Sequence, residues 1–432
     1  MIDQTILLQT LADQREELEA KENKKLCRRM EQDLIELNSP LAQVVIGVRR
    51  CGKSTMCYQA LREAKINFAY VNFDDENLSL VNAGDLNTLL ESLYTLYGKF
   101  THLFLDEIQN VEGWQLFVNR LLRREMKIII TGSNAKLLSS DLATHLTGRH
   151  HVINLFPLSF REYCECNDVD LYSPTTEKKA LRRRAFNEYL HQGGFPQLLQ
   201  IENKRAYIND LTEAILRRDI EQRFKIRHPM QFERLANHMM NIAPVIISAE
   251  KQAKELDFKS TNTFHNYLGY LCEAFLLVNL HKYSQKSKIR LVGEKYYCID
   301  PALMDKRIDA FSGENFGWRM ETIAFLELKR HALIKGNDIY YLSESGRGEC
   351  DFIITLGNQA IEAIQVSYDI SNPKTYRREI NGLITAAKKT NCKKLLLLTE
   401  NQRETVEADG YTVEVKPIYE WLIEINSKEN YG

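Results

Sequence analysis

The sequence predicts an α/β protein of several domains built around a parallel sheet, and three observations carry that prediction. Apolar runs at 41–46, 67–73, 101–105, 127–131 and 151–155 alternate with helix-compatible stretches, the pattern of buried parallel strands joined by crossover helices. Residues 47–54 read Gly47-Val48-Arg49-Arg50-Cys51-Gly52-Lys53-Ser54, a complete G-x-x-x-x-G-K-[ST] pattern between the run Val44-Val45-Ile46 and a helical stretch beginning at Thr55. Residues 102–107 read His102-Leu103-Phe104-Leu105-Asp106-Glu107, an apolar strand whose two acids emerge at the carboxyl end, where open α/β sheets place their ligands.

Each motif has a chemical reading. The glycines of the loop let the backbone turn so that successive N–H groups face phosphate oxygens, Lys53 reaches the β- and γ-phosphates, and Ser54 supplies a Mg²⁺ ligand. Gly47, Arg49, Arg50, Cys51, Gly52, Lys53, Ser54 and Thr55 are therefore expected to surround ATP, with Mg²⁺ as its companion. Asp106 is expected to help hold that Mg²⁺, and Glu107 to polarise a water toward the γ-phosphate. The strand Lys127–Thr131 ends in Gly132-Ser133-Asn134, so Ser133 and Asn134 stand where a γ-phosphate sensor is needed; a plain helix cap is the alternative. Arg149, after a helical segment and before the strand at 151–155, could reach a neighbouring subunit's nucleotide, while a surface turn accounts for it equally well.

Together these residues resemble the prokaryotic AAA-type P-loop ATPases that carry a C-terminal domain of unknown function. The resemblance rests on residues 47–54, Leu105-Asp106-Glu107-Ile108-Gln109, Thr131-Gly132-Ser133-Asn134, Gly148-Arg149 and Phe156-Pro157-Leu158-Ser159-Phe160-Arg161-Glu162. It continues through Gly193-Gly194-Phe195-Pro196 and Glu349-Cys350-Asp351-Phe352 to Pro417-Ile418-Tyr419-Glu420-Trp421-Leu422, nearly the whole chain.

Composition fits such a protein. The 432 residues are 44% hydrophobic and 27% charged, enough for several cores under an ordinary surface. No apolar run approaches the length that spans a bilayer, and the N-terminus lacks a secretory pattern, so a cytoplasmic protein with no membrane partner is expected. The nine cysteines show no C-x-x-C pair and read as free thiols. A net charge of −1 gives no global nucleic-acid footprint. The run from Lys204 to Arg234 mixes bases with acids and reads as a solvated helix face, whereas Ser371 to Lys394 carries seven Lys/Arg against Glu379 alone and is the stronger site for DNA contact.

The organisation follows the chain. Residues 1–36 form an N-terminal helical segment; 37–160 the AAA-type ATPase domain; 161–230 a helical lid or connector, broken at Gly193-Gly194-Phe195-Pro196. Residues 231–310 read as three helices and a strand pair, which resembles a winged helix-turn-helix, with Asn262, His265 and Asn266 exposed on the third helix as base-contacting residues, or as a protein-contacting face. Residues 311–432 place Glu321 on a helix, then strands at 338–341, 349–354 and 360–368, an order that resembles the restriction-endonuclease-like fold. In that resemblance Glu321 and Asp351 would hold a metal. The third strand offers Gln365-Val366-Ser367, where Ser367 replaces the lysine that active members use, and Lys329 is the nearest lysine in sequence on the Glu321 helix. The expected function is ATP hydrolysis that gates these C-terminal domains near nucleic acid. The alternatives are an ATP-dependent nuclease and a slowly cycling nucleotide-switched scaffold.

Overall fold

The structure, a computed structural model, describes residues 3–21, 26–133, 146, 148–284, 293–306, 316–344 and 348–426. The chain divides into one unit of residues 1–155 with 273–275 and a second of 156–272 with 276–432.

In the first unit, a helix α1 (Gln4–Glu19) precedes the strands β1 (Ala42–Ile46), β2 (Phe68–Asn72), β3 (His102–Asp106), β4 (Lys127–Gly132) and β5 (His150–Asn154). Between them lie α2 (Lys53–Glu63), α3 (Leu86–Tyr97) and α4 (Trp114–Arg123). The strands form one wholly parallel sheet in the order β2-β3-β4-β1-β5. β1 and β3 are buried at every residue, as a sheet covered on both faces requires. The consequence for chemistry is topological: β3 is separated from β1 by β4, so the acids ending β3 face the loop after β1 across the end of β4.

The second unit begins with helical segments. Ser159 and Glu162 close a reciprocal capping box on α5 (Phe160–Cys166), and Thr175 caps α6 (Thr176–Gln192). The break at 193–196 has a packing cause. A Cβ on Gly193, whose φ is +76°, would lie 1.8 Å from Asp300 Oδ1, and one on Gly194 would lie 2.2 Å from the Leu158 carbonyl oxygen. Asp300 accepts hydrogen bonds from the N–H groups of Gly194 and Ala302, both at 2.8 Å, so the glycine pair is a docking joint rather than a hinge. After α7 (Lys204–Ala214) a π-helical segment, Ile215–Glu221, continues the path.

Three further helices, α8 (Pro229–Ile242), α9 (Ala249–Glu255) and α10 (Thr261–Glu273), precede a small antiparallel sheet. Its order is β6-β8-β7, from β6 (Val245–Ile246), β7 (Leu277–Leu280) and β8 (Lys295–Cys298). The β7–β8 pair was legible in the sequence; the two-residue β6 was too short to be. Then come α11 (Phe316–Lys335) and a six-stranded mixed sheet ordered β13-β14-β12-β11-β10-β9. Its strands are β9 (Asp338–Glu344), β10 (Gly348–Leu356), β11 (Gln359–Val366), β12 (Leu395–Thr399), β13 (Glu404–Ala408) and β14 (Tyr411–Pro417). α12 (Pro373–Thr390) packs on this sheet through Ile380, Leu383 and Ile384, and α13 (Ile418–Glu424) ends the described chain.

Cys51, Cys57, Cys164, Cys272, Cys298, Cys350 and Cys392 are free thiols, whereas the expectation of a free thiol does not hold at Cys27 or Cys166. Among the described residues no helix is long and apolar enough to cross a membrane.

Candidate nucleotide site and a second polar cleft

The sequence motif at 47–54 folds into the strand–loop–helix its spacing predicts: β1 ends at Ile46 and α2 begins at Lys53. Gly52 takes φ +103° at the start of α2, a conformation that L side chains rarely adopt, and Arg50 also lies at positive φ. Lys53 is 4% exposed, and its ammonium bridges the loop through the carbonyl oxygens of Gly47 and Val48, both at 3.2 Å. Cys51 is buried, Arg50 points to solvent, and Arg49 lies 3.4 Å from Asp74. Ser54 and Thr55 open α2 half-buried.

The acids at the end of β3 divide the chemistry. Ser54 Oγ donates to Asp106 Oδ1 at 2.9 Å, Tyr70 OH donates to Asp106 Oδ2 at 3.1 Å, and Thr131 Oγ1 also donates to Oδ1. Thr131 comes from β4, the strand between β1 and β3, and fills the space that the strand order leaves between loop and acid. Burial first and the Glu107 charge second raise the Asp106 carboxyl above its ordinary value. Glu107 takes φ +52°, which turns its side chain away from Asp106. Its Oε1 lies 3.7 Å from the Lys53 ammonium, and its Oε2 accepts from Ser133 Oγ at 3.1 Å, Ser133 N at 3.3 Å and the Gln109 amide. Burial works to raise the Glu107 pKa, but Lys53, Gln109, Arg49 and Ser133 together hold it below the ordinary carboxylate value.

The predicted nucleotide residues are thus gathered around one loop, with two exceptions. Asn134 lies outside the described residues. Arg149 is exposed at the opposite end of the sheet: its carbonyl oxygen accepts from Ala42 N at 3.0 Å, beside the first residue of β1. Two contributors had no sequence signal. Tyr70 sits inside an apolar strand, and Arg29 reaches from the N-terminal segment to brace the loop through the Cys51 carbonyl oxygen at 2.9 Å.

The residues present fit a magnesium nucleotide. Gly52 opens α2 in the αL conformation with no side-chain cap on the first N–H groups, Lys53 supplies a cation at the loop, and the Ser54 hydroxyl and Asp106 carboxylate, 2.9 Å apart, offer two oxygens of the kind Mg²⁺ takes.

A second polar cleft, of about 910 Å³, lies in the other unit and gathers Glu321, Glu349, Asp351, Gln365, Ser367 and Glu379. Glu321 and Asp351 do come together here. Ser367 lines the cleft, while Glu362 on β11 lies outside it and pairs with Lys394 at 2.9 Å. Lys329 is not the compensating lysine: it is absent from the cleft lining, and burial lowers its pKa. The lysine that arrives is Lys295, the first residue of β8, 2.8 Å from Glu321, 2.9 Å from Glu349 and 3.3 Å from Asp351. Among the described residues no group of three or more His, Cys, Asp and Glu is spaced to hold a metal ion.

Four of the seven bases in the segment 371–394, most of which lies on α12, are paired with acids. Arg378 pairs with Glu379, Lys388 with Asp409 at 2.8 Å, Lys389 with Glu344 and Lys394 with Glu362, leaving Lys374, Arg377 and Lys393 outside these pairs. Asn262, His265 and Asn266 are exposed on α10, as expected.

Residues 39–164 match the family model described as an AAA domain, and residues 183–312 match one described as a domain of unknown function, DUF8612. The chain is 33% identical over 438 residues to the uncharacterized protein MJ1544 of Methanocaldococcus jannaschii, covering 98% of this chain and 96% of that one. It is 30% identical over 409 residues to an uncharacterized protein of Haemophilus influenzae, covering 91% and 97%. Among solved structures it is similar to the Walker-type ATPase PABY2304 of Pyrococcus abyssi, with TM-score 0.44, 15% identity and coverage of 66% of this chain and 98% of that one.

Proposed function

We propose, from the premise that this chain belongs to the AAA-type P-loop ATPase family, that it binds MgATP and hydrolyses it, and that turnover gates its C-terminal domains. The observation that carries hydrolysis, beyond binding, is the division of labour at the end of β3. Asp106 is drawn to Ser54, the metal side, while Glu107 turns toward Lys53 and Ser133 and is held ionised, as a base must be. In this reading Gly47, Arg49, Arg50, Cys51, Gly52, Lys53, Ser54 and Thr55 cradle the phosphates, Ser54 and Asp106 hold Mg²⁺, and Ser133 positions Glu107. ATP with Mg²⁺ supplies the phosphoryl group to be transferred to water; the protein orients that water and neutralises charge. The test is nucleotide binding and steady-state turnover by the purified protein. Lys53→Ala is expected to weaken binding of a fluorescent ATP analogue at least tenfold, because a phosphate charge loses its buried counter-ion. Unchanged affinity would remove the site.

We also read residues 231–310 as a winged helix and 311–432 as a restriction-endonuclease-like domain that no longer cleaves, following the helical segment 1–36, the ATPase domain 37–160 and the connector 161–230. DNA contact through Ser371–Lys394 is left with three bases outside ion pairs, so the ATPase assay should include duplex and single-stranded DNA; stimulation selects a nucleic-acid role, and tight ATP binding with extremely slow turnover selects the nucleotide-switched scaffold.

Arg149 serves the nucleotide of a second copy in this proposal. It flanks the start of β1, whereas the phosphate loop follows the strand's end roughly 16 Å away. Mixing Arg149→Ala with Glu107→Gln protein is expected to restore part of the turnover that each lacks, because a hybrid interface assembles one intact site. Linear concentration dependence of turnover with no rescue would return Arg149 to a surface role.

A further inference from the structure

The lysine in the C-terminal cleft does not come from the six-stranded sheet that supplies Asp351. Lys295 opens β8, the middle strand of the small antiparallel sheet, and its side chain is 6% exposed. An ammonium has three N–H donors, and here each meets a carboxylate: Glu321 Oε1 at 2.8 Å, Glu349 Oε1 at 2.9 Å and Asp351 Oδ1 at 3.3 Å. The carboxylates are themselves oriented. Tyr297 OH donates to Glu321 Oε1 at 2.7 Å, and Val366 N donates to Asp351 Oδ2 at 3.0 Å. Three oxygens from α11 and β10 therefore converge on one point at the wall of an open cleft, and the atom at that point is a cation.

The charges do not balance. Three carboxylates against one ammonium leave an excess of negative charge, with Glu321 and Asp351 buried and Glu349 41% exposed, and Arg378, which also lines the cleft, is engaged by Glu379. An excess of this sign suits a doubly charged ion better than a single ammonium.

We propose that Lys295 Nζ is the built-in cation of a three-carboxylate site, Glu321, Glu349 and Asp351, standing where a divalent metal ion would otherwise bind. The carboxylate oxygens sit at N–H···O distances, up to about an ångström longer than Mg–O or Ca–O contacts, which is why these acids are not spaced as metal ligands. The wild-type cleft thus needs no metal. A protein without the ammonium would need one, and the ligand class is a hard divalent cation that prefers oxygen. An ordinary structural ion pair predicts otherwise: its loss would destabilise the fold, and no metal would restore it.

The experiment is thermal unfolding of nucleotide-free, full-length protein in EDTA and in about 1 mM Mn²⁺. Wild type is expected to move little between the two. Lys295→Met is expected to unfold roughly 5 °C or more lower in EDTA and to recover most of that loss with Mn²⁺. Adding Asp351→Asn to Lys295→Met should abolish the recovery. Lys295→Gln, which keeps one donor, is the second variant, and both are purified with and without Mn²⁺. The proposal is overturned if Lys295→Met matches wild type in EDTA, if Mn²⁺ restores neither variant, if neither folds even with Mn²⁺ present, or if Mn²⁺ stabilises wild type as strongly as the variants.

Discussion

Glu107→Gln is expected to keep ATP bound and to lose turnover by about 10²-fold or more. The substitution preserves volume and removes one negative charge. That charge lies 3.7 Å from the Lys53 ammonium and is held by hydrogen bonds from Ser133 and Gln109, so the carboxylate is ionised and fixed in direction before any substrate arrives. A glutamine in the same place can still accept from Ser133, which preserves local structure, but it cannot take a proton from an attacking water. Binding should survive because, in the proposed site, the phosphate contacts fall to the loop 47–52, Lys53 and Ser54. It should even tighten slightly, since Lys53 no longer shares its charge with Glu107. Turnover and nucleotide affinity measured on the same preparation decide the matter: normal hydrolysis would show that Glu107 is not the base, and lost affinity would show that it serves the loop's structure instead.

What could be read from the sequence follows how local each feature is. The phosphate loop was legible because eight consecutive residues determine its backbone path, Gly52 at φ +103° included. The parallel sheet was legible because strands buried on both faces are apolar throughout, as β1 and β3 are. The acids of β3 could be placed because a strand's end is visible as the point where an apolar run meets charge. Tyr70 and Arg29 could not: one is a polar hydroxyl inside an apolar run, the other lies 22 residues from the carbonyl it braces. Ser133 was expected to sense phosphate, and its hydrogen bonds to Glu107 could not be read from composition because they depend on the +52° backbone of Glu107. Lys295 was invisible for the same reason on a larger scale. It is 56 residues from Asp351, on a strand of a different sheet, and nothing about Lys295-Tyr296-Tyr297-Cys298 marks it as part of a carboxylate cluster. Lys329, chosen for its nearness in sequence, was the wrong lysine because proximity along α11 does not point a side chain into the cleft.

The cleft around Asp351 is expected to leave plasmid and linear DNA intact with Mg²⁺ or Mn²⁺, with or without ATP. Phosphodiester hydrolysis at a carboxylate site needs a metal to hold the attacking water and a cation to neutralise charge that develops on the phosphate; losing one such group commonly costs about 10²–10³ in rate. Ser367 cannot supply that charge, and its hydroxyl is turned to the Asp369 carbonyl oxygen at 3.4 Å. Lys295 could, by its chemistry, but all three of its donors are already taken by Glu321, Glu349 and Asp351. The same contacts occupy the oxygens a metal would need, so one ammonium removes both the cation and its free hydrogen bonds from catalysis. The cleft is also acidic, which repels a polyanion unless a divalent ion intervenes. Incubation of the purified protein with both DNA forms, with Asp351→Ala as the control, tests this directly. Cleavage by wild type that disappears in Asp351→Ala would mean that metal displaces Lys295 under working conditions and would promote the nuclease reading, ATP-dependent if the cleavage requires ATP.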